Sequence, residues 1–366
     1  MYPYWLLFLI FALGAISTEV SRPAWPVPVR GSAVPPTRGP TLGRELPLML
    51  AAIVTAVMIG LRFRVGADWD SYIIIYGDIQ RLGVSEALER WEPGYTLVNV
   101  VADEAGAGIW LVNLNCGLIF MYGVVQFAWR QPNPWLAVLV GVPYLIIGVG
   151  MGYTRQAVAI GCCMAGFAAL SRGSFRKMVL WVLAAAMFHR TALVVLPLVT
   201  LSYTRNRFQT FLVLIVGVYI AYKLLWTDID KFQNLYIHRV YEAQGSGVRL
   251  AMNITPAVIF LAASRRFGLN EDERRIWRNV SVLAVLSFLV WFGTRNTVVV
   301  DRLALYLIPL QIVVFSRLPN VLSRSDRPSG EYKALIILYC ALVQFTWLNF
   351  ANHAKYWVPY TLYHFT

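Results

Sequence analysis

The apolar run Leu46–Leu61 ends directly in Arg62-Phe-Arg-Val-Gly-Ala-Asp-Trp-Asp70, followed by Ser71 and Tyr72. A helix leaving a bilayer core therefore meets two arginines, a glycine and two carboxylates within nine residues. Glu92, Gly94 and Tyr95 follow shortly after. Such a polar cluster at a membrane surface is costly unless it is solvated or used. It also reads as an interfacial anchor, with Asp68 or Asp70 capping the next helix and the arginines on lipid phosphates.

The rest of the 366 residues supports the membrane reading. The chain is 58% hydrophobic and 14% charged, with mean hydropathy +0.57. Soluble domains carry about a quarter charged residues. Several apolar runs approach the roughly 20 residues that cross a bilayer as a helix. The expected fold is all-α, a single polytopic integral membrane domain over residues 1–366, with about 11–12 membrane segments. The runs are continuous rather than alternating, which excludes a barrel. A net charge of +13 would suggest nucleic acid in a soluble protein. Here the positive-inside rule accounts for much of it, and no nucleic-acid partner is expected. Only five of the 32 basic residues are lysines. Arginine suits bidentate phosphate binding, although genomic base composition explains such a bias equally well. Cys116, Cys162, Cys163 and Cys340 all lie in apolar runs without zinc spacing, so no disulfide is expected. The four histidines are scattered, and no metal or cofactor pattern is present.

Taken in order, Tyr2–Ile16 reads as a first membrane helix. Residues 17–45 are a Pro-, Gly- and Arg-rich linker, hence cytoplasmic, and a span at about 46–62 runs outward. Segment 62–108 holds four basic against eight acidic residues, the charge of the opposite side, with short helices predicted at 68–81, 84–91 and 93–104. Spans follow at 109–129, 135–151 and 157–170. Residues 178–201 begin and end beside basic segments, 171–177 and 203–207. One span cannot have both ends on one side. Two half-helices folded at His189-Arg190 as a re-entrant hairpin resolve the parity; a single span with one basic loop outside is the alternative. Further spans are expected at 208–226, 250–264, 277–293, 302–315 and 334–350, with an extracytoplasmic loop at 227–249 and basic segments at 265–278 and 317–333. Both termini are then extracytoplasmic.

The exceptional polar residues gather at outer helix ends: Asp68, Asp70, Glu92, Arg155, Arg249, Arg295, Asp301 and Arg302, joined by His189 and Arg190 in the hairpin reading. Singly, Arg155 or Arg302 reads as a snorkelling side chain, and His189 as a satisfied buried histidine. Their order and spacing resemble a family. Arg62-x-x-x-Gly66-x-Asp68-x-x-x-Tyr72, Glu92-x-Gly94-Tyr95, Arg155-Gln156-Ala157, Phe188-His189-Arg190-Thr191-Ala192, and Arg302 followed by Tyr306 are together similar to the EpsG-like family, relatives of Wzy-type bacterial exopolysaccharide and O-antigen polymerases. The resemblance covers about 46–310. Where the family often has a small residue plus Ser after the histidine, this chain has Arg190-Thr191.

The resemblance implies a multi-pass glycosyltransferase of the bacterial cytoplasmic (inner) membrane with a GT-C-like architecture. Its substrate is a polyprenyl-diphosphate-linked oligosaccharide, and its partners include membrane lipid and a chain-length co-polymerase protein. Arginines should hold the departing diphosphate, and a carboxylate or histidine should deprotonate the attacking hydroxyl. Candidate catalytic residues are Asp68, His189 and Glu92. Candidate substrate-binding residues are Arg62, Arg64, Asp70, Tyr72, Tyr95, Arg155, Gln156, Arg249, Arg295 and Arg302. Trp69, Trp91, Tyr153 and Trp357 suit sugar stacking or an interfacial belt. A flippase would favour repeated halves, which the sequence lacks. An acyltransferase needs a donor from the cytoplasmic side. A single-addition transferase using a polyprenyl-phosphate sugar is the hardest to separate.

Overall fold

The computed structural model describes residues 1–18, 42–203, 245–294, 297–323 and 330–363, together with helical positions 208, 211, 215 and 219. Most of the 17–45 linker, of the 208–226 span and of the 227–249 loop, together with basic segment 204–207 and Arg295, lies outside the described residues. The ordered elements are helices: α1 (Tyr2–Ser17), α2 (Leu42–Gly60), α3 (Trp69–Leu82), α4 (Val84–Arg90), α5 (Pro93–Glu104), α6 (Ile109–Ala128), α7 (Pro134–Gly141), α8 (Thr154–Leu170), α9 (Phe175–Ala186), α10 (Val195–Tyr203), α11 (Ser246–Ala263), α12 (Glu271–Gly293), α13 (Thr297–Ala304), α14 (Pro309–Leu322) and α15 (Gly330–Phe350). α7 continues as a π-helical stretch, Val142–Gly150, and a 3-10 turn, Arg190–Val194, precedes α10.

Local sequence sets these boundaries. The three short outer helices fall where segment 62–108 predicts them. Gly83, at φ +75, separates α3 from α4. Pro93 opens α5, where a missing N–H costs nothing. Asn133 caps α7 by accepting from the Leu136 amide. Asn270 and Glu273 form a reciprocal capping box at the start of α12.

The core is built around α8, in which every residue from Gln156 to Leu170 is buried. α8 packs against α6, α9 and the π-helical stretch. The α6–α8 contact depends on Gly123 and Gly161: a Cβ on Gly123 would lie 1.9 Å from the Gly161 carbonyl oxygen. Small residues let helices in lipid meet backbone to backbone, where dispersion replaces the hydrophobic drive.

Among the described residues four helices are long and apolar enough to cross a membrane, five if one bent pair counts as a span; five further apolar helices are shorter. The short ones have physical causes. The expected span at 302–315 is not straight: Thr297–Leu307 and Pro309–Leu322 meet at 43°, at a proline that cannot donate to the preceding turn. Segment 178–201 is broken at Met187–His189, between α9 and the 3-10 turn.

Two polar ends result. At one end Arg317, deeply buried, donates to Gln131 Oε1 and to the carbonyls of Phe267 and Arg130, at 3.0–3.2 Å. Lys333 Nζ reaches the carbonyls of Ala15, Ile16 and Thr18, where a cation complements a helix C-terminus. Arg275 donates to the Ser202 carbonyl. Segments assigned to one side by their basic charge thus share one end of the bundle. At the other end the Met187 carbonyl, in the break between α9 and the 3-10 turn, accepts from the Gly94 amide at 2.8 Å.

The glycine contact is testable. Gly123→Ala must push α6 off α8 and should cost ~1–3 kcal/mol as an overpacking substitution. Gly77→Ala, within α3 and with no atom within 4 Å of the added methyl, should be neutral or stabilising by ~0.5–1 kcal/mol. Thermal melting of the detergent-solubilised protein separates the two.

Candidate functional site

The site begins with the loop joining α2 to α3. Arg62 is 1% exposed, and its guanidinium is committed to protein atoms. Nη1 donates to the Ile59 carbonyl and Nε to the Val65 carbonyl. Nη2 donates to Asn113 Oδ1 at 3.0 Å and to Thr154 Oγ1 at 2.7 Å. Arg62, expected to bind substrate, ties the loop to α6 and α8. Its partners lie 51 and 92 residues away, so the sequence around it does not reveal them. Gly66, at φ +107, lets the chain pass where a Cβ would sit 2.2 Å from the Met151 carbonyl oxygen.

Asp68 occupies the N-cap position of α3, yet its side chain makes no capping hydrogen bond. Its Oδ2 lies 3.6 Å from Arg302 Nη2. Burial pushes the Asp68 carboxyl up from its ordinary value, and the charges of Arg302 and Arg155 offset that in part. The Arg302 guanidinium also lies 4.6 Å from the centre of the Tyr153 ring, a cation–π distance. A second pair stands beside the first: Arg155 Nη1 donates to Glu92 Oε2 at 2.7 Å. Arg155 lies over the rings of Trp91 and Tyr95, at 5.9 and 5.8 Å. Gln156, the next residue on α8, donates to the Arg302 carbonyl at 2.6 Å and so fixes α13 against α8. Trp91 Nε1 and Gln156 Oε1 are buried without a protein partner among the described residues.

His189 sits in the break between α9 and the 3-10 turn, with Arg155 and Arg302 as charged neighbours. Its Nδ1 is 3.1 Å from Thr191 Oγ1, which is 3.0 Å from the Tyr306 hydroxyl. Arg249 makes a bidentate pair with Asp301, both bonds 2.8 Å. The fields of Arg249, Asp301 and Arg302 all reach Tyr153, so this third pair flanks the first two.

The structure thus brings Asp68, Glu92, Arg155, Gln156, His189 and Arg302 together, with Tyr72 and Tyr95 buried behind them, 5.8 Å between ring centres. It does not bring Arg64 or Asp70 in. Arg64 is exposed, adopts φ +53 and lies over the Phe63 ring. Asp70 is exposed in the first turn of α3, on a face away from its neighbour Asp68 by helical geometry.

Sequence reasoning missed the C-terminal strap. Phe63 and Gly66 donate to the carbonyls of Thr361 and Tyr356, and Tyr363 donates back to Leu61, at 2.7–2.9 Å. Trp357 Nε1 donates to the Ile147 carbonyl in the π-helical stretch. The only hint was the aromatic content of a nominal tail, Tyr356-Trp-Val-Pro-Tyr360.

A family model described as the EpsG family matches residues 45–362. No curated protein and no solved structure matches the chain.

Arg62 and Arg155 should separate structural from site arginines. Arg62→Met leaves the Ile59 and Val65 carbonyls, Asn113 and Thr154 without their donor and should cost ~3–5 kcal/mol. Arg155→Gln, at a partly exposed position, should cost ~1 kcal/mol or less. Melting temperatures of the purified variants check the contrast.

Proposed function

The chain belongs to the EpsG family, and we propose that it polymerises a bacterial exopolysaccharide or O-antigen by joining polyprenyl-diphosphate-linked repeat units at the extracytoplasmic face of the cytoplasmic membrane. Family membership and the apolar helices make it a polymerase-like multi-pass membrane protein acting on lipid-linked oligosaccharide in general terms. The observation that carries the finer reading is the pair of arginine–carboxylate contacts, Arg155–Glu92 and Arg302–Asp68, assembled from four separate segments beside His189.

The chemistry follows from these groups. The anomeric carbon of the donor sugar loses its bond to the diphosphate oxygen, which leaves with the electron pair. Arg155 and Arg302 turn from their carboxylates to the diphosphate, whose non-bridging oxygens suit the planar guanidinium fork. The acceptor hydroxyl forms the new C–O bond and gives its proton to a carboxylate. Asp68 is the better base: burial raises its proton affinity, and its contact with Arg302 is the longer of the two. Glu92 holds Arg155 between turnovers. Trp91 and Tyr153 offer ring faces to the sugars, and Arg249 stands at the flank. A chain-length co-polymerase is the expected protein partner.

Deletion of the gene should accumulate single lipid-linked repeat units, and the purified protein should make a product ladder. One added sugar instead of a ladder would replace the polymerase reading by a single-addition transferase. Arg155→Lys and Arg302→Lys should each lose ~10²-fold or more in rate at normal protein level, because an ammonium lacks the planar fork. Full activity in both would reduce these residues to lipid anchors.

Asp68→Asn should abolish polymer, while Asp70→Asn stays active. Since the base must be ionised, the rate should fall as pH drops through the Asp68 pKa, with a midpoint above the ordinary carboxylate value of ~4. Sidedness is read by labelling. After removal of the native cysteines, an impermeant maleimide on intact cells should label Glu104→Cys and spare Arg172→Cys. The reverse pattern would invert the topology.

A further inference from the structure

The Thr191 hydroxyl stands between His189 Nδ1, at 3.1 Å, and the Tyr306 hydroxyl, at 3.0 Å. Heavy-atom distances leave the direction of these two hydrogen bonds open, but counting protons decides it. Tyr306 is buried, and Thr191 is the hydrogen-bond partner of its hydroxyl among the described residues. A buried hydroxyl proton without an acceptor costs ~1–3 kcal/mol. Tyr306 therefore donates to Thr191. The threonine hydroxyl has one proton of its own, and the remaining acceptor in line is His189 Nδ1. In the opposite direction Nδ1–H would donate to Thr191 and Thr191 to Tyr306, which strands the tyrosine proton. If Nδ1–H and Tyr306 both donated to Thr191, the threonine proton would have no acceptor among the described residues, so only the first arrangement pairs all three groups within the chain.

An Nδ1 that accepts carries no proton, so the neutral ring holds its proton on Nε2. The question of tautomer belongs to the neutral ring, the ordinary form of an imidazole above its usual pKa of ~6.5. We infer that Tyr306 and Thr191 are positioning residues that fix His189 as the Nε2–H tautomer, making it a hydrogen-bond donor to the departing diphosphate oxygen and not the base. The leaving group named here rests on the polymerase reading; the tautomer does not. The proton balance is unchanged: the acceptor hydroxyl gives its proton to Asp68, the electron pair of the broken C–O bond goes to the diphosphate, and His189 keeps its proton throughout. A fixed donor aimed at developing charge needs no reorganisation during the step.

The test uses the full-length protein in lipid nanodiscs with nitrogen-15 histidine, the His189 resonance being identified by its loss in His189→Gln. The expected spectrum shows an unprotonated Nδ1 and a protonated Nε2. Thr191→Val should give a mixture of tautomers, and Thr191→Ser, which keeps the hydroxyl, should restore the single form. An Nδ1–H tautomer in the unmodified protein, or an unchanged tautomer in Thr191→Val, overturns the inference.

Polymer formation gives an independent readout at equal amounts of folded protein. Glutamine can donate from its amide, so His189→Gln should keep about a tenth or more of the rate, whereas His189→Ala should lose ~10²-fold. Equal loss in both would make His189 a base and sink the donor role. If no polymer forms under any condition while the tautomer is as expected, the polymerase reading fails and the positioning chain stands.

Discussion

The buried guanidinium of Arg62 is the interaction on which the outer end of the molecule depends. Four hydrogen bonds join the end of α2, the Val65 turn, Asn113 of α6 and Thr154 of α8. All four acceptors are neutral. A charge removed from water without a counter-ion survives only when its donors are taken up in good geometry, and any movement of one of these segments would strand it. The loop is therefore held from the inside, while the C-terminal strap holds it from the outside through Phe63, Gly66 and Leu61. Between the two, the backbone from Gly66 to Asp68 has little freedom. Thr154 is also the residue before Arg155, so the same bond that closes the Arg62 cage fixes the start of α8 where the site arginine projects.

At rest the site is electrostatically closed. Arg155 is matched by Glu92, Arg302 by Asp68 and Arg249 by Asp301. The pairs are unequal. Arg249–Asp301 is bidentate and mostly buried, while Arg302–Asp68 is at 3.6 Å with the arginine side chain 37% exposed. An incoming polyanion competes with the carboxylates for the guanidinium forks. The looser pair yields first, because less Coulomb energy is lost at longer separation and higher local dielectric. Releasing Asp68 from Arg302 also removes the main charge that opposes its uptake of a proton. Binding of an anion and the proton affinity of Asp68 are thus coupled through Arg302.

Much of this was legible in the sequence, for reasons that differ from residue to residue. The three short outer helices were readable from Gly83, Pro93 and the change in charge sign, all local signals. The break in segment 178–201 at Met187–His189 falls where His189-Arg190-Thr191 interrupts the apolar run. Asp68 and Asp70 could be separated by helical geometry alone. Arg62 could not be read, because an arginine after an apolar run looks the same whether it turns to lipid phosphate or to Asn113 and Thr154. The 43° bend before Pro309 was missed for a related reason, since Leu305–Phe315 is as apolar as a straight span. The strap was hard to read because, the Thr361 hydroxyl apart, its bonds to the loop are made by backbone groups, which carry no sequence signature.

Helix length explains why the polar groups collect where they do. At ~1.5 Å rise per residue, α9 with 12 residues reaches ~18 Å and α8 with 17 residues ~25 Å, against a hydrocarbon core of ~30 Å. The four described helices that are long enough, α6, α11, α12 and α15, carry neither Asp68 nor Glu92, Arg155 or His189. Helices that stop short leave unsatisfied backbone groups and polar caps at depth, which lipid cannot accommodate but a protein-lined recess can. The Gly94 amide satisfying the Met187 carbonyl is such a repair, made by α5 for the break between α9 and the 3-10 turn. The same shortness that breaks the hydropathy pattern at His189 therefore makes room for Arg155, Arg302 and Asp68 to meet it. The Gly123–Gly161 contact keeps α8 close enough to α6 for the Arg62 cage to close beneath them.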